Sequence, residues 1–383
     1  MSDRICVVPN VHGVGGMVSF LHKFTAGARA RGVEVITNMD DRPYAALLVI
    51  GGTRDLLALD RARRRGVRVV QRLDGLNWVQ RVRPVSLKHT LRAEYGNQLL
   101  ALIRRFVAGH IVYQSVFSRW IWDKHYGRLD KPSSVVYNGV DLSVYSPGGE
   151  RPAGVYRLLV VEGSLGGGYE KGLENALRLA GGLRARGWPM EVQVVGEVSP
   201  HLRAHWDANS SVPLRWEGLV KREAIPGLDR GAHLLFSADV HPACPNSVVE
   251  ALACGLPVVA FDTGSLSELV PPAAGYIGPY GADPWKLEPP DVAGLVGGAE
   301  SILKDWNTYS QAARRAAESA LGLETMVDKY LQALLGELSM VYDAEIDAFL
   351  RRHLRSVQDN DTAAYHDTTS DELTLYEWWV TPH

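Results

Sequence analysis

Only three cysteines occur in 383 residues, Cys6, Cys244 and Cys254, and their number is odd. Their spacing fits neither a disulfide framework nor a metal site, so free thiols in a reducing compartment are expected. Long apolar runs are missing too. None approaches the roughly 20 residues that cross a bilayer. The short run Met1–Pro9 has no basic region and no extended apolar core, so it does not read as a signal peptide. A cytoplasmic chain is expected, with contact at the inner face of the membrane left open. An excess of charge of one sign is also lacking, the formal net charge being -2.

That near-neutrality hides a division. Residues 1–150 hold 22 of the 41 Lys and Arg but only 12 of the 43 Asp and Glu, leaving 19 and 31 for residues 151–383. A basic first half suits an anionic partner, such as an acidic lipid surface, a phosphorylated carrier lipid or a nucleic acid. Mutual neutralisation of the two halves across a cleft explains it equally well. The length predicts two domains, and 46% apolar with 22% charged residues is ordinary for a globular chain.

Apolar periodicity alternates between strand and helix from the start. Strands are predicted at Arg4–Pro9, Val33–Thr37, Ala46–Ile50, Val67–Gln71, Ile111–Tyr113 and Ser134–Tyr137. Helices are predicted at Val18–Arg31, Asp55–Arg65 and about Leu87–Val107. The second half repeats the scheme, with strands at Tyr156–Glu162, Glu191–Val195, Leu214–Glu217, Leu234–Ser237 and Pro257–Phe261. Helices there are expected at Leu173–Arg186, Ser247–Cys254 and Thr325–Leu338. Such alternation, with short connections, predicts an α/β chain whose parallel sheets are covered by helices. The Pro-, Gly- and Ser-bearing stretch Asp141–Gly154 marks a boundary. The expected domains are residues 1–145 and 146–338. An acidic extension follows over 339–383, partly helical or disordered, in which Trp378 and Trp379 call for a docking partner or a membrane interface.

Four segments stand where a parallel sheet binds ligands, at the carboxyl ends of its strands. His12-Gly13-Val14-Gly15-Gly16 follows the first strand and opens a helix, which suits a phosphate; a plain tight turn fits equally. Gln71-Arg72-Leu73-Asp74-Gly75 ends a strand, and a carboxylate there can orient or deprotonate a hydroxyl. Its bland alternative is a cap or an ion pair between Asp74 and Arg72. Gly163-Ser164 begins a glycine-rich loop that ends in Lys171, a reasonable diphosphate cradle or an ordinary mobile loop. The richest segment runs from His241 to Ala260. In it Asn246, Ser247 and Val248 open a helix that Gly255 ends, and Glu250 lies one turn in. Glu250 can grip vicinal ribose hydroxyls, or close a capping box on Ser247.

Asn246–Asp262 (NSVVEALACGLPVVAFD) resembles the donor-site signature of family 4 of the retaining glycosyltransferases. Gln71–Gly75, Tyr113–Ser118, Tyr137–Asp141 and Gly264–Val270 fall where that family has comparable elements, so the resemblance covers residues 4 to about 338. It implies the GT-B fold, two Rossmann-like domains with parallel sheets facing across a cleft. It further implies transfer of a sugar from a nucleoside diphosphate, UDP before GDP, with retention and without a metal or other cofactor. Acceptors would be hydroxyls of a glycan, lipid, protein or small molecule. By position, Gly15, Gly16, Gly163, Ser164, Lys171, Asn246, Ser247, Val248 and Glu250 would bind the donor. Arg72 and Asp74 would meet the acceptor, and Asp74 and Lys171 would take part in the chemistry.

The chain departs from the family in two places. Pro242 stands where the family has a second carboxylate, for which Asp239 is a candidate substitute, and Ser164 stands where it often has arginine. A non-catalytic nucleotide-sugar-binding protein is the alternative these departures raise. A dinucleotide oxidoreductase is disfavoured, because Val18 replaces the third glycine of the fingerprint. Asp359-Asn-Asp361 has the letters of a metal site but lies in the acidic tail.

Overall fold

The computed structural model describes residues 4–13, 15–165 and 170–336. The first domain runs β1 (Arg4–Val8), α1 (Gly16–Ala30), β2 (Glu34–Ile36), β3 (Ala46–Val49), α2 (Leu56–Arg64), β4 (Arg68–Leu73), α3 (Leu87–Leu102), β5 (His110–Tyr113), α4 (Val116–Tyr126) and β6 (Ser133–Val135). Its six strands are parallel, in the order β2-β1-β3-β4-β5-β6. The strand order reverses at β1 and β3, and there the loop carrying Gly15 and Gly16 leaves the sheet.

The second domain follows as β7 (Tyr156–Ser164), α5 (Glu170–Ala185), β8 (Met190–Glu197), α6 (Pro200–Asn209), β9 (Leu214–Gly218), α7 (Ile225–Arg230), β10 (Leu234–Phe236), α8 (Asn246–Ala253), β11 (Val258–Phe261), α9 (Leu266–Leu269), β12 (Gly275–Gly278), α10 (Ala293–Lys304), α11 (Trp306–Ala320) and α12 (Leu323–Leu335). The parallel order is β12-β11-β10-β7-β8-β9. Here the reversal lies between β7 and β10, so the carboxyl ends of those two strands flank one crevice. Gly163 and Ser164 end β7 there, and the loop of His241 to Pro245 follows β10.

The inner strands of both sheets read as near-continuous apolar runs, because helices cover both faces, whereas the edge strands β2, β6 and β9 are partly exposed. In β3 all four residues, Ala46 to Val49, are buried, and so are all four of β11. The unexpected packing is that of α12. Its apolar stripe, Met326, Val327, Tyr330, Ala333 and Leu334, joins Ile5, Phe20, Phe24 and Leu48 in the first domain's core. Gly27 permits the approach, since a Cβ there would lie 2.5 Å from Val327 Cγ2. The helix predicted to end the second domain thus closes the first. Beside this crossover, Val140 donates to Leu321 and accepts from Leu323 through the backbone, so the two connections between the domains run side by side. The predicted extension at 339–383, with Trp378, Trp379 and Asp359-Asn-Asp361, lies outside the described residues.

Candidate functional site

α8 carries the most chemistry. Pro245 holds its N-cap at φ -70° and offers no side-chain cap. The first backbone bond of this helix is donated by Val249 to the Pro245 carbonyl, at 3.2 Å. The N–H groups of Asn246, Ser247 and Val248 therefore have no acceptor within the helix, and they point from the positive end of its dipole. At the other end, Gly255 at φ 70° and Leu256 return their N–H groups to Leu252 and Ala251, an ending that a left-handed glycine permits. Val248, Val249, Ala251 and Leu252 are fully buried, the two valines and the leucine each contributing on the order of 2 kcal/mol of apolar burial.

The capping box read from Ser247 and Glu250 does not form. The helix begins one residue earlier, so Ser247 lies inside it. Glu250 turns instead to the first domain, where its carboxylate is 3.6 Å from Lys23 Nζ of α1. Both side chains are about nine-tenths buried. Burial raises the Glu250 pKa, against the pull of Lys23 and Arg222. It pushes the Lys23 ammonium down to about 8, against the opposing pull of Glu250.

Gly15, at φ 139°, is the N-cap of α1, and Gly16 is its first residue. A Cβ on Gly16 would lie 4.0 Å from the Asn246 side-chain nitrogen. Two helix N-termini, one from each domain, thus face each other across the cleft. A cavity of about 210 Å³ lies against the first of them, lined by His12, Gly15, Gly16 and Met17 among others. A larger cavity of about 450 Å³ lies away from this centre, at the linker beside Arg230.

Gly163 and Ser164 end β7 in exposed positions. The rest of that glycine run, 166–169, lies outside the described residues. Lys171 is the second residue of α5, and its Nζ donates to the Leu287 carbonyl at 2.9 Å. Gly172 sets how closely α5 meets the end of β10: a Cβ there would be 2.7 Å from both the Ala238 Cβ and its carbonyl oxygen. Asp239 follows β10 beside Glu162 of β7, and burial raises the pKa of both carboxyls.

Arg72, expected at the acceptor, is buried instead. Its guanidinium stacks on Phe20 at 4.2 Å, and Nη2 donates to Asn138 Oδ1 at 3.2 Å. The reason is strand alternation, which turns Arg72 toward α1 and α12 while Leu73 enters the α4 side of the sheet. Asn138 extends this link, donating to the Cys244 carbonyl at 2.8 Å and so to the loop that precedes α8. Asp74 stands at the sheet edge, as expected. Ser118 Oγ and Trp122 Nε1 fix its backbone carbonyl at 2.8 and 2.7 Å. Burial raises its carboxyl pKa, and Arg72 draws it back.

Other residues at the cleft were not foreseen. Lys23 is one. Glu268 is another: it accepts from the Val116 and Phe117 N–H groups, at 2.9 and 3.0 Å, and from Tyr137 Oη at 3.1 Å. The second domain thereby caps α4 of the first. A cluster of rings also bridges the domains. His241, at φ 61°, stacks on Trp285 with ring centres 3.6 Å apart, while Trp78 and Phe117 approach both. His241 directly precedes Pro242, the only local sequence signal for this cluster. Among the described residues, no group of three or more His, Cys, Asp or Glu side chains is placed to hold a metal ion. The cysteines are buried free thiols.

Taken together, the centre offers unpaired N–H groups to a diphosphate, a buried carboxylate one turn deeper, a raised-pKa carboxyl opposite, and aromatic faces between. Residues 157–305 match the family model of glycosyl transferases group 1. No curated protein matches the chain. Solved structures share the two-domain fold. Sucrose-phosphate synthase from Thermosynechococcus elongatus aligns over 93% of this chain and 100% of its own, at 14% identity and TM-score 0.66. Anabaena HepE in complex with UDP-glucose aligns over 86% and 99%, at 16% identity and TM-score 0.62. WaaG, described as a glycosyltransferase involved in lipopolysaccharide biosynthesis, aligns over 87% and 100%, at 13% identity and TM-score 0.62.

Proposed function

We propose that this chain, whose residues 157–305 match the glycosyl transferases group 1 model within a GT-B fold, moves a hexose from a UDP-sugar to an acceptor hydroxyl, with retention and without a metal ion. The observation that carries this reading is the start of α8. Its first three N–H groups have no acceptor within the helix, and the Asn246 side chain approaches Gly16 across the cleft, with Nδ2 4.0 Å from where a Cβ on Gly16 would be. Such a pair of helix N-termini suits a diphosphate. UDP is preferred to GDP because HepE was solved with UDP-glucose.

On this reading Asn246, Ser247 and Val248 hold the diphosphate, and Gly15 and Gly16 close over it. Glu250 exchanges Lys23 for the ribose hydroxyls. Lys171 leaves the Leu287 carbonyl to neutralise the leaving group, with Gly163 and Ser164 beside it. The bond from the anomeric carbon to the diphosphate breaks, and the acceptor oxygen bonds to the same face. Asp74 takes the acceptor proton, a task that suits a carboxyl whose pKa burial has raised.

The test is direct. The protein is incubated with UDP-glucose and an acceptor panel in the presence of a chelator, and the product's anomeric configuration is read by NMR. An α-linked product with chelator present supports the proposal. An inverted product, or turnover that requires added metal, refutes the mechanism. Pro242 at the family's carboxylate position favours one rival, a silent nucleotide-sugar binder. Tight UDP binding without transfer to any acceptor would select it.

A further inference from the structure

Ten large apolar side chains are exposed among the described residues, and six lie between residues 82 and 106. They are Val82, Leu87, Leu91, Tyr95, Leu102 and Phe106, which are 42–74% exposed. Five of them follow the helical repeat along α3 and the π turn Ile103–Val107 that continues it. Spacings of four, four, seven and four residues place them on one stripe of the helix. The opposite side is already used: Asn97, Leu99, Ile103 and Val107 pack into the first domain. α3 is thus apolar on two faces and buries only one. A contiguous exposed stripe of this kind marks an interaction surface.

Charge identifies the partner. Lys88, Arg92 and Arg105 flank the stripe in exposed positions, and the Arg105 guanidinium lies 5.8 Å from the centre of the Phe106 ring. The one acidic residue of α3, Glu94, is turned away and held by Arg81 and Gln80 at 2.7 and 2.8 Å. The outward face therefore combines apolar side chains with cations and no carboxylate. An interfacial helix on an anionic bilayer has this pattern, with leucine and aromatic side chains among the acyl chains and Lys or Arg at the headgroups.

We infer that α3 and the π turn after it seat the first domain on an anionic lipid surface, through Leu87, Leu91, Tyr95, Leu102 and Phe106. The seat is coupled to the cleft. Asn77, three residues beyond Asp74, donates its N–H to Asn97 Oδ1 of α3 at 3.0 Å, and Asn97 Nδ2 returns a bond to the Asn77 carbonyl at 2.8 Å. Docking α3 therefore fixes the loop that bears Asp74 relative to the bilayer. This orients the proposed acceptor side toward molecules carried in the membrane, a consequence that rests on the transferase reading. The lipid seat itself does not.

The experiment is co-sedimentation of the full chain with vesicles of phosphatidylcholine alone and of phosphatidylcholine with phosphatidylglycerol. Binding to the anionic vesicles only, weakened by salt, is expected. Leu91→Glu with Phe106→Glu should lower the vesicle partition coefficient about 10-fold or more while leaving the melting temperature unchanged. These positions are exposed, so the substitutions leave the core intact. Replacing Lys88, Arg92 and Arg105 by Gln should cost about 5-fold for each cation. Equal binding to both vesicle types, or wild-type binding by the double Glu variant, overturns the proposal. So does a chain that ignores vesicles but is a dimer in sedimentation velocity and becomes monomeric on the Leu91 and Phe106 changes, since the stripe is then a self-interface. UDP titration of the wild-type chain is independent: failure of that chain to bind UDP would count against the transferase reading alone.

Discussion

The buried pair of Lys23 and Glu250 gives the sharpest test, because its two single variants must respond to pH in opposite directions. Two unit charges 3.6 Å apart attract by roughly 5 kcal/mol at an effective dielectric constant near 20. Little of that is net stability, because burial opposes it. With Lys23 at about 8, the ammonium is favoured over the amine at pH 7 by roughly 1.4 kcal/mol. That figure bounds what Glu250→Gln can cost through Lys23, since the stranded ammonium escapes by losing its proton. The folded variant then binds fewer protons than the folded wild type between its own lysine pKa and about 8. Its deficit therefore shrinks as pH rises and is gone above that value. Lys23→Met strands the carboxylate instead, which escapes by gaining a proton. Because the Glu250 pKa is already above 4.5, that escape costs at most about 3.4 kcal/mol at pH 7. This deficit shrinks as pH falls.

Urea denaturation of both variants from pH 6 to 9 measures the two slopes. The double variant, Lys23→Met with Glu250→Gln, should recover most of the stability, because a buried pair replaced as a unit is often neutral. Calorimetric titration with UDP separates packing from recognition. Glu250→Gln should weaken UDP about 10-fold or more, the worth of a charged hydrogen bond, and the stable double variant should not regain it. Parallel pH slopes for the two single variants would refute the pairing. UDP affinity unchanged to within about twofold in Glu250→Gln would refute the ribose role.

Three further outcomes follow from the same geometry. Glu268→Ala removes the acceptor that caps α4 and should cost about 2 kcal/mol in urea denaturation. Burial lifts the Glu268 carboxyl from 4.5 to about 7, so the folded chain retains a proton that the unfolded chain loses, and the wild type loses stability as pH rises through that window. The Ala variant should lack this component of the slope. Gly172→Ala forces a Cβ to 2.7 Å from Ala238; thermal melting should show a loss of about 1–3 kcal/mol, and UDP titration a weaker site as Lys171 shifts. Arg72→Lys keeps the charge but loses the fit over Phe20 and to Asn138. The melting temperature should fall by the equivalent of about 1–2 kcal/mol, with UDP affinity unchanged, as suits a buried tether.

What could be read from the sequence was whatever is written locally. A glycine turn joins strand to helix after β1, a short proline-bearing loop does so after β10, and period and turn chemistry suffice to place Gly16, Asp74 and Asn246 beyond the carboxyl ends of strands. Local logic failed where two local rules competed. Ser247-Val-Val-Glu250 satisfies a capping box, but Pro245 already supplies the N-cap backbone, so the helix starts at Asn246 and Glu250 is released to reach Lys23. A helix can be read from its own stripe without revealing what the stripe covers. For this reason α12 was foreseen as an element but not as part of the first domain's core. The same ambiguity hid α3, whose outward apolar residues look, in sequence, like core. Only packing showed that Leu99 and Ile103 had taken the core face, leaving Leu91 and Phe106 outside. The pairings that join the halves, Lys23 with Glu250, α4 with Glu268 and Trp78 with His241 and Trp285, have no period and no fixed spacing. Each exists because two sheets close on one cleft, and closing the cleft is also what puts a helix N-terminus from each domain around the space proposed for one diphosphate.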